Sequence, residues 1–572
     1  MDILGHKRWQ IAPPAPPIFL KRVQHLHPLV AQILYNRGIT KLDDVAALLA
    51  GDYAPDNPFR LADMDKAVTL LRQAMAHEER LVVYGDYDAD GVTAVAVLMR
   101  ALRSLGARVE PYIPSRADEG YGLNPEAITA LAERDTRVLI TVDCGIRSLD
   151  EVAMARQLGM TVILTDHHHV GTALPQANAV LNPKRPDCAY PFKELAGVGV
   201  AYKLAQALLR ANSQVPLNTT RYPLHESELL DLVAMGTVAD MVPLIGENHM
   251  LVRRGLEYLN RAKRPGLSAL MEMTGTQPGT VTARTIGFVL APRLNAAGRI
   301  SEAITALDLL LAEDMSEAIP LAHELEALNQ DRRAMTTEVQ ERAREQILDA
   351  GEVPALLFVS AEDFPQGVVG LAASRLLDEF YRPAIVISKE GELSKGSARS
   401  IPEFHITEAL DTVAPLLVRH GGHAAAAGFT IRTELLPELE ARLLALAQEQ
   451  LEGISLVPLF NVDAEVSLHT LSWDVFHELE RLQPFGYGNP TPVLASRRVH
   501  VRHARAVGVD GRHLKLTLVD EAGGVWDAIA FRQGEWIGRL PPTIDIAYVL
   551  ESNEWNGRVS LQLNVRDIHA GG

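Results

Sequence analysis

From Leu81 the chain alternates short apolar runs with amphipathic stretches, and each run is about the length of one strand. LVVYGD (81–86), RVEPYIP (108–114), RVLITVD (137–143) and MTVILTD (160–166) read as strands. Between them, AVAVLMRALRSLGA (94–107), NPEAITALAER (124–134) and LDEVAMARQLG (149–159) carry the helical period. Alternation of this kind predicts a parallel sheet with right-handed helical crossovers, whose ligands gather beyond the carboxyl ends of the strands. Helices dominate from Gly197 to Arg264, and a helical lead-in occupies residues 1–80.

In the middle of the chain Leu321, Leu325, Leu328, Met335, Val339, Ala343 and Ile347 keep helical spacing among charged neighbours. The pattern predicts a long connecting helix that begins just after Pro320 and ends near Gly351. A second α/β unit follows, with strands VPALLFVS (353–360) and PAIVIS (383–388). Beyond Leu456, four β-rich segments (513–520, 525–531, 544–550 and 558–565) predict a small terminal barrel. The expected fold is thus α/β: two α/β lobes joined by a long helix, plus a C-terminal OB-type β-barrel. The expected domains are 1–80, 81–300, 301–351, 352–456 and 457–572.

The 572 residues exceed what one core can organise. Cys144 and Cys188 are too few for a disulfide framework and point to a reducing compartment. Neither a signal-peptide pattern nor an apolar run of spanning length is present, so a cytoplasmic protein without membrane attachment is expected. The net charge of −17 argues against a general polyanion binder. Local charge modifies that picture. RRVHVRHARAVGVDGRHLK (497–515), which includes Arg502 and Arg505, sets six basic residues against Asp510 alone. On a small barrel such a strip suits single-stranded nucleic acid, and a solvated face is the alternative.

The chemistry lies at the ends of the predicted strands. GDYDAD places Asp86, Asp88 and Asp90 at alternate positions, where three carboxylates repel unless a cation sits among them. A calcium loop of the helix–loop–helix type is excluded, because its twelfth position would be Val97 where an acidic ligand is required. VLITVD adds Asp143, VILTDHHH adds Asp166, His167, His168 and His169, and Asp240 ends an apolar helix that could reach the same rim. Carboxylates with imidazole suit manganese, magnesium or iron better than structural zinc. So many ligands imply two ions bridged by a shared aspartate, an arrangement that mostly serves phosphoryl or acyl hydrolysis.

Three further clusters suit an anionic substrate. GGHAAAAGF (Gly421, Gly422 and His423 onward) lets a backbone or phosphate approach closely, and a helix starting there would favour anions. Tight helix–sheet packing is the competing reading. KGSARS offers Ser397 and Arg399 at alternate positions of a strand, and APRLNAAGRI contributes Arg293 and Arg299.

Taken together, GDYDADG, VDCG, DHH, GTVADMVPL, LNAAGR and GGHAAAAG occur in the order found in the DHH phosphoesterase superfamily, which the chain resembles from Leu81 to its C-terminus. The match is nearest to the branch of bacterial single-strand-specific DNA exonucleases. That resemblance implies that Asp88 and Asp90 are metal ligands and that Asp143 bridges two Mn²⁺ or Mg²⁺ ions. His167 and Asp240 then complete the second site, with Asp86 beside them and His168 facing the substrate phosphate. Ser397, Arg399 and the Gly421–Gly428 loop would hold the 5′ end, and His169 lies outside the shared motif. The implied activity is two-metal hydrolysis of single-stranded DNA from the 5′ end, releasing 5′-mononucleotides in recombination and repair. A passage too narrow for a duplex would give strand selectivity. The implied setting is a monomer working with a single-strand-binding protein and a helicase. Two alternatives belong to the same superfamily: a phosphodiesterase of short oligonucleotides or cyclic dinucleotides, and a non-catalytic scaffold. Residues 457–572 weigh against the first, and the full set of metal ligands weighs against the second.

Overall fold

The computed structural model describes residues 7–51, 56–116, 119, 120, 122–349, 351–555 and 557–570. It divides into two compact units. One comprises residues 1–294, 303–322 and 459–572, and the other comprises 295–302 and 323–458.

In the first unit, five parallel strands lie in the order Arg108–Tyr112, Arg80–Gly85, Val138–Val142, Thr161–Thr165, Ala179–Leu181. The three central strands are near-continuous apolar runs, buried almost throughout, as expected of a parallel sheet covered on both faces. Their register pairs Gly85 with Val142 and Val142 with Thr165, so the residues that follow (Asp86, Asp143, Asp166) emerge side by side at one rim. The Ala89–Ser104 helix is buried almost all round, against the sheet and the Gly197–Gln214 and Leu230–Ala239 helices.

The same unit holds the barrel. Strands Leu494–Val507, His513–Val519, Val525–Ala530, Arg558–Ala570 and Thr543–Trp555 pair in that order, and the last closes onto the first. Its core continues into the N-terminal helices: Phe19, Val30, Ile33 and Leu34 share one apolar cluster with Leu514, Leu516, Ile544 and Ile546. Arg8–Ile11 pairs in parallel with Leu459–Val462. The N-terminal lead-in is therefore partly built into the barrel, a long-range pairing that local periodicity does not register.

The second unit carries a five-stranded sheet in the order Leu417–His423, Ala426–Arg432, Leu393–Arg399, Ala384–Glu390, Leu357–Ala361. The connecting helix differs from its predicted start. It runs from Met315 to Asp349 with Pro320 inside its second turn. Asp314 sets the true beginning, its carboxylate accepting the amides of Ser316 (2.8 Å) and Glu317 (3.1 Å). GGHAAAAGF differs too. It forms a hairpin in which His423 pairs with Ala426, so no helix begins there and a helix N-terminus cannot be its anion-binding device. Gly422, at φ 156°, lies so close to the returning strand that a Cβ would fall 2.3 Å from the Ala426 carbonyl oxygen.

Candidate metal centre

Local chemistry fixes each ligand candidate. Asp88 caps the Ala89–Ser104 helix, its Oδ1 accepting the amides of Asp90 (2.9 Å) and Gly91 (3.0 Å). Gly91 is obligatory, since a Cβ would meet the Asp86 carbonyl oxygen at 2.5 Å. Asp143 leaves its strand at φ 60°, a costly conformation for a non-glycine residue and one found preferentially at functional sites. Asp240 is the C-cap of the Leu230–Ala239 helix.

These elements bring the predicted acids and imidazoles into overlapping groups. Asp86, Asp88 and Asp143 can each place a ligand atom within 4.8 Å of the others, and so can Asp90, His167 and Asp240. A third group, Asp143, His167 and His168, spans the two. His167 Nε2 stands 3.1 Å from Asp143 Oδ1 and 3.6 Å from Asp240 Oδ2. Asp86 Oδ1 and Asp240 Oδ2 are buried without a hydrogen-bond partner among the described residues. Buried carboxylate oxygens left bare are costly unless a cation meets them, so the donor set fits divalent ions.

The electrostatics say the same. Burial, then repulsion from neighbouring carboxylates, raises Asp86 and Asp143 well above the usual carboxylate range. The same two causes push Asp90 up to about 7 and Asp240 up to about 9. His167 is pushed down to about 3 by burial and by His168, which keeps it neutral, as a metal ligand must be. His168 is raised despite its burial because Asp166 Oδ1 lies 2.8 Å from its Nδ1. A rim of mutually repelling carboxylates is the electrostatic requirement for cation binding.

Other residues shape the site, and apart from Asp166 they carry no signal in the sequence. The first amides of the Gly197–Gln214 helix bind Asp90, from Gly197 at 2.7 Å and Val198 at 2.8 Å. Gly236 packs beneath the same carboxylate, where a Cβ would fall 2.9 Å from Asp90 Oδ1 and 2.2 Å from Thr93 Oγ1. Asp166 is an orienting group, accepting the amides of Ile146, His167 and His168 as well as meeting the His168 ring. Arg116, with its guanidinium 4.9 Å above the Tyr87 ring, brings a cation beside Asp86. The His169 carbonyl accepts from Arg147 Nε at 3.1 Å.

The second unit gathers its own candidate anion-binding groups. Ser397 Oγ accepts from Arg399 Nη1 at 3.1 Å. Gly370 leaves room for both, since a Cβ would fall 2.8 Å from Ser397 Oγ and 3.1 Å from Arg399 Nη2. Gly367 meets the backbone of Arg299 equally closely. The start of the Gln366–Phe380 helix, missed in the sequence, thus faces Ser397, Arg399 and Arg299. Gly421, Gly422 and His423 lie exposed on the edge strand of that sheet, where Gly421 is in register with Gly428 and Ser397, and His423 with Ala426 and Arg399. Arg293 belongs with the first unit and donates to the Val289 carbonyl at 2.5 Å.

On the barrel, the basic strip is thinner than the sequence suggests. Arg497 is held by Glu465 (3.2 Å) and Asp545 (2.8 Å), and Lys515 lies 3.8 Å from Asp527. Arg502 and Arg505 remain exposed on the outer face of the Leu494–Val507 strand.

A parallel sheet with a rim of paired candidate metal ligands, followed by a lobe with a candidate arginine–serine anion pocket, is the arrangement of a DHH-type phosphoesterase. Residues 80–237 match the DHH family N-terminal domain, 354–453 the DHHA1 domain, and 462–567 the RecJ OB domain. The chain belongs to the RecJ family of single-stranded-DNA-specific exonucleases. It is 40% identical to that enzyme of Bacillus subtilis, over 98% of this chain and 70% of the relative. It is 38% identical to that of Dickeya dadantii, over 95% of this chain and 96% of the relative. The crystal structure of Thermus thermophilus RecJ in complex with Mn²⁺ superposes with a TM-score of 0.84 at 31% identity, covering 99% of this chain and 80% of that one. The Mg²⁺ complex of the same protein gives 0.77 at 30% identity, covering 99% and 79%.

Proposed function

We propose that this protein is a metal-dependent exonuclease that degrades single-stranded DNA from its 5′ end and releases 5′-mononucleotides, acting in DNA recombination and repair. The observation that carries the reading is the pair of ligand groups sharing one rim, Asp86–Asp88–Asp143 and Asp90–His167–Asp240. A pair of Mn²⁺ or Mg²⁺ ions there supplies an activated nucleophile and neutralises charge on the phosphate. The chain's own groups do the rest. Asp143 and His167 belong to overlapping groups and hold the two halves in register. His168, oriented by Asp166, presents its other ring nitrogen to the phosphate. Arg116 and Arg293 add positive charge for the strand, and Ser397, Arg399, Arg299 and the strand end Gly421–His423 receive its 5′ end.

An enzyme restricted to single strands depends on a helicase to expose them and meets strands already coated by a single-strand-binding protein, so both are proposed as partners. Among the described residues no helix is long and apolar enough to cross a membrane, and both cysteines are free and buried. These features support action in the cytoplasm. The chain is taken to work as a monomer.

The test uses purified protein with Mn²⁺ or Mg²⁺ and strands labelled at either end, single or duplex. Release of labelled mononucleotide from the 5′ end of single strands alone is expected, and Asp143→Ala should abolish it while leaving the fold intact. Equal cleavage of duplex, or turnover by Asp143→Ala, would sink the reading.

A further inference from the structure

The barrel touches the catalytic half of its own unit at the turn that follows Asp240. Tyr487 O accepts the amide of Leu244 at 2.7 Å. Two glycines flank that contact and permit it. At Gly488, φ 74°, a Cβ would fall 2.8 Å from Pro243 Cβ, and at Gly486 one would fall 2.6 Å from Leu244 Cδ1. The loop is braced on its own side, because Asn489 Nδ2 donates to the carbonyls of Leu482 and Pro484, each at 2.9 Å. Arg37 from the N-terminal helices binds Asn489 Oδ1 and the Pro490 carbonyl and pairs with Asp463. His249 Nε2 lies 3.3 Å from the Leu482 carbonyl, and Asn248 Nδ2 donates to the Pro243 carbonyl at 3.0 Å.

The turn so held has little rigidity of its own. Met241, next to Asp240, sits at φ 59° with 69% of its surface exposed, so its side chain anchors nothing. Asp240 lies beyond the last helical residue of its element. Its amide is still held by the Gly236 carbonyl at 2.9 Å, and the turn beyond it is gripped by Asn248 and by the barrel loop together, so the placement of its carboxylate depends in part on that loop.

We infer that the Gln483–Pro490 loop is a positioning element for Asp240, so that the terminal barrel tunes the ion site formed by Asp90, His167 and Asp240. Groups that support a metal ligand from behind typically change metal affinity by about 10–100-fold when removed. The site formed by Asp86, Asp88 and Asp143 stands on strand ends and the Asp88 cap, and it is independent of this loop. The barrel then does more than hold DNA, because it sets the occupancy of one of two ions. The inference rests on the proposed two-ion reading of the rim.

The experiment is a Mn²⁺ titration by calorimetry on the full-length chain, comparing wild type with Gly488→Ala and with Asn489→Ala. Wild type should show two binding events, and a single event or none would sink the two-ion reading itself. Each variant should weaken one event by about tenfold or more and leave the other within about twofold. Gly488→Ala acts by collision with Pro243 and Asn489→Ala by loosening the brace, so either suffices if the other misfolds. Two unchanged events in a folded variant would overturn the inference, as would equal weakening of both, which marks a general loss of structure.

Discussion

Gly197 lies so close beneath Asp143 that a Cβ there would fall 2.6 Å from Asp143 Oδ1 and 2.7 Å from its Cγ. The backbone of Gly197 binds Asp90 at the same time. One residue at a helix start thus seats two candidate ligands, which makes it a separable probe of geometry. Gly197 is not among the residues of positive φ, so alanine suits its backbone. Gly197→Ala should therefore keep its melting temperature within a few degrees of wild type while Mn²⁺ affinity falls about tenfold. Calorimetry and thermal melts on the same sample check this, and unaltered affinity would show that the rim relaxes around the methyl group.

Arg399 and Ser397 share the proposed anion pocket of the second unit, where Arg399 Nη1 donates to Ser397 Oγ at 3.1 Å. Arg399→Ala should raise KM for 5′-phosphorylated strands by roughly tenfold, the cost of about one charge-assisted hydrogen bond. It should reduce the preference for phosphorylated over dephosphorylated 5′ ends and leave Mn²⁺ binding unchanged. Steady-state kinetics on the two substrates measures the effect, and an undiminished end preference would displace Arg399 from the pocket.

Arg502 and Arg505 are, with Arg498 and Arg512, exposed members of the barrel strip, whereas Arg497 is committed to Asp545 and Glu465. Arg502→Glu with Arg505→Glu should weaken binding to a long oligonucleotide with metal withheld. The slope of log affinity against log salt should become shallower by about 0.7 for each phosphate of a single strand that the protein no longer neutralises. Arg497→Ala should instead lower stability. Fluorescence anisotropy at several salt concentrations separates these outcomes, and a slope identical to wild type marks a solvated face.

His249 is fully buried, and burial pushes it down to about 4 from 6.5. Its unfolded form binds a proton that the folded form refuses between those values. Stability is therefore complete above about pH 6.5 and is lost as pH falls toward 4, by on the order of 3 kcal/mol at the lower end. Thermal melts at pH 7.5, 6 and 5 should show a steeper decline for wild type than for His249→Gln. Parallel declines would mean that other groups dominate acid unfolding.

Deleting the barrel has a different consequence in the structure than in the sequence. All candidate ligands precede residue 241, so the linear order suggests that a chain ending near Leu456 keeps its metal centre. The contact of Tyr487 with Leu244 and the shared core of Leu34 with Leu516 make that truncation a change to the Asp240 turn and to the N-terminal helices.

Sequence alone determined the features that repeat locally: the strand ends bearing Asp86, Asp143 and Asp166, the helices between them, the helical identity of residues 321–347, and the β-rich terminus. These follow from periodicity and from short motifs, which depend on neighbours a few residues apart. Tertiary structure decided what depends on distant contacts. Gly197 and Gly236 became site residues only when their helices closed over Asp90 and Asp143, since a glycine inside a helix looks ordinary until its Cβ position is seen to be occupied. Pro320 misplaced a helix start because the capping carboxylate of Asp314 outweighs one missing amide. GGHAAAAGF became a hairpin because pairing with Leu393–Arg399, not local propensity, sets the conformation of such small residues. The fate of each basic residue on the barrel was likewise settled by which carboxylate folding placed beside it.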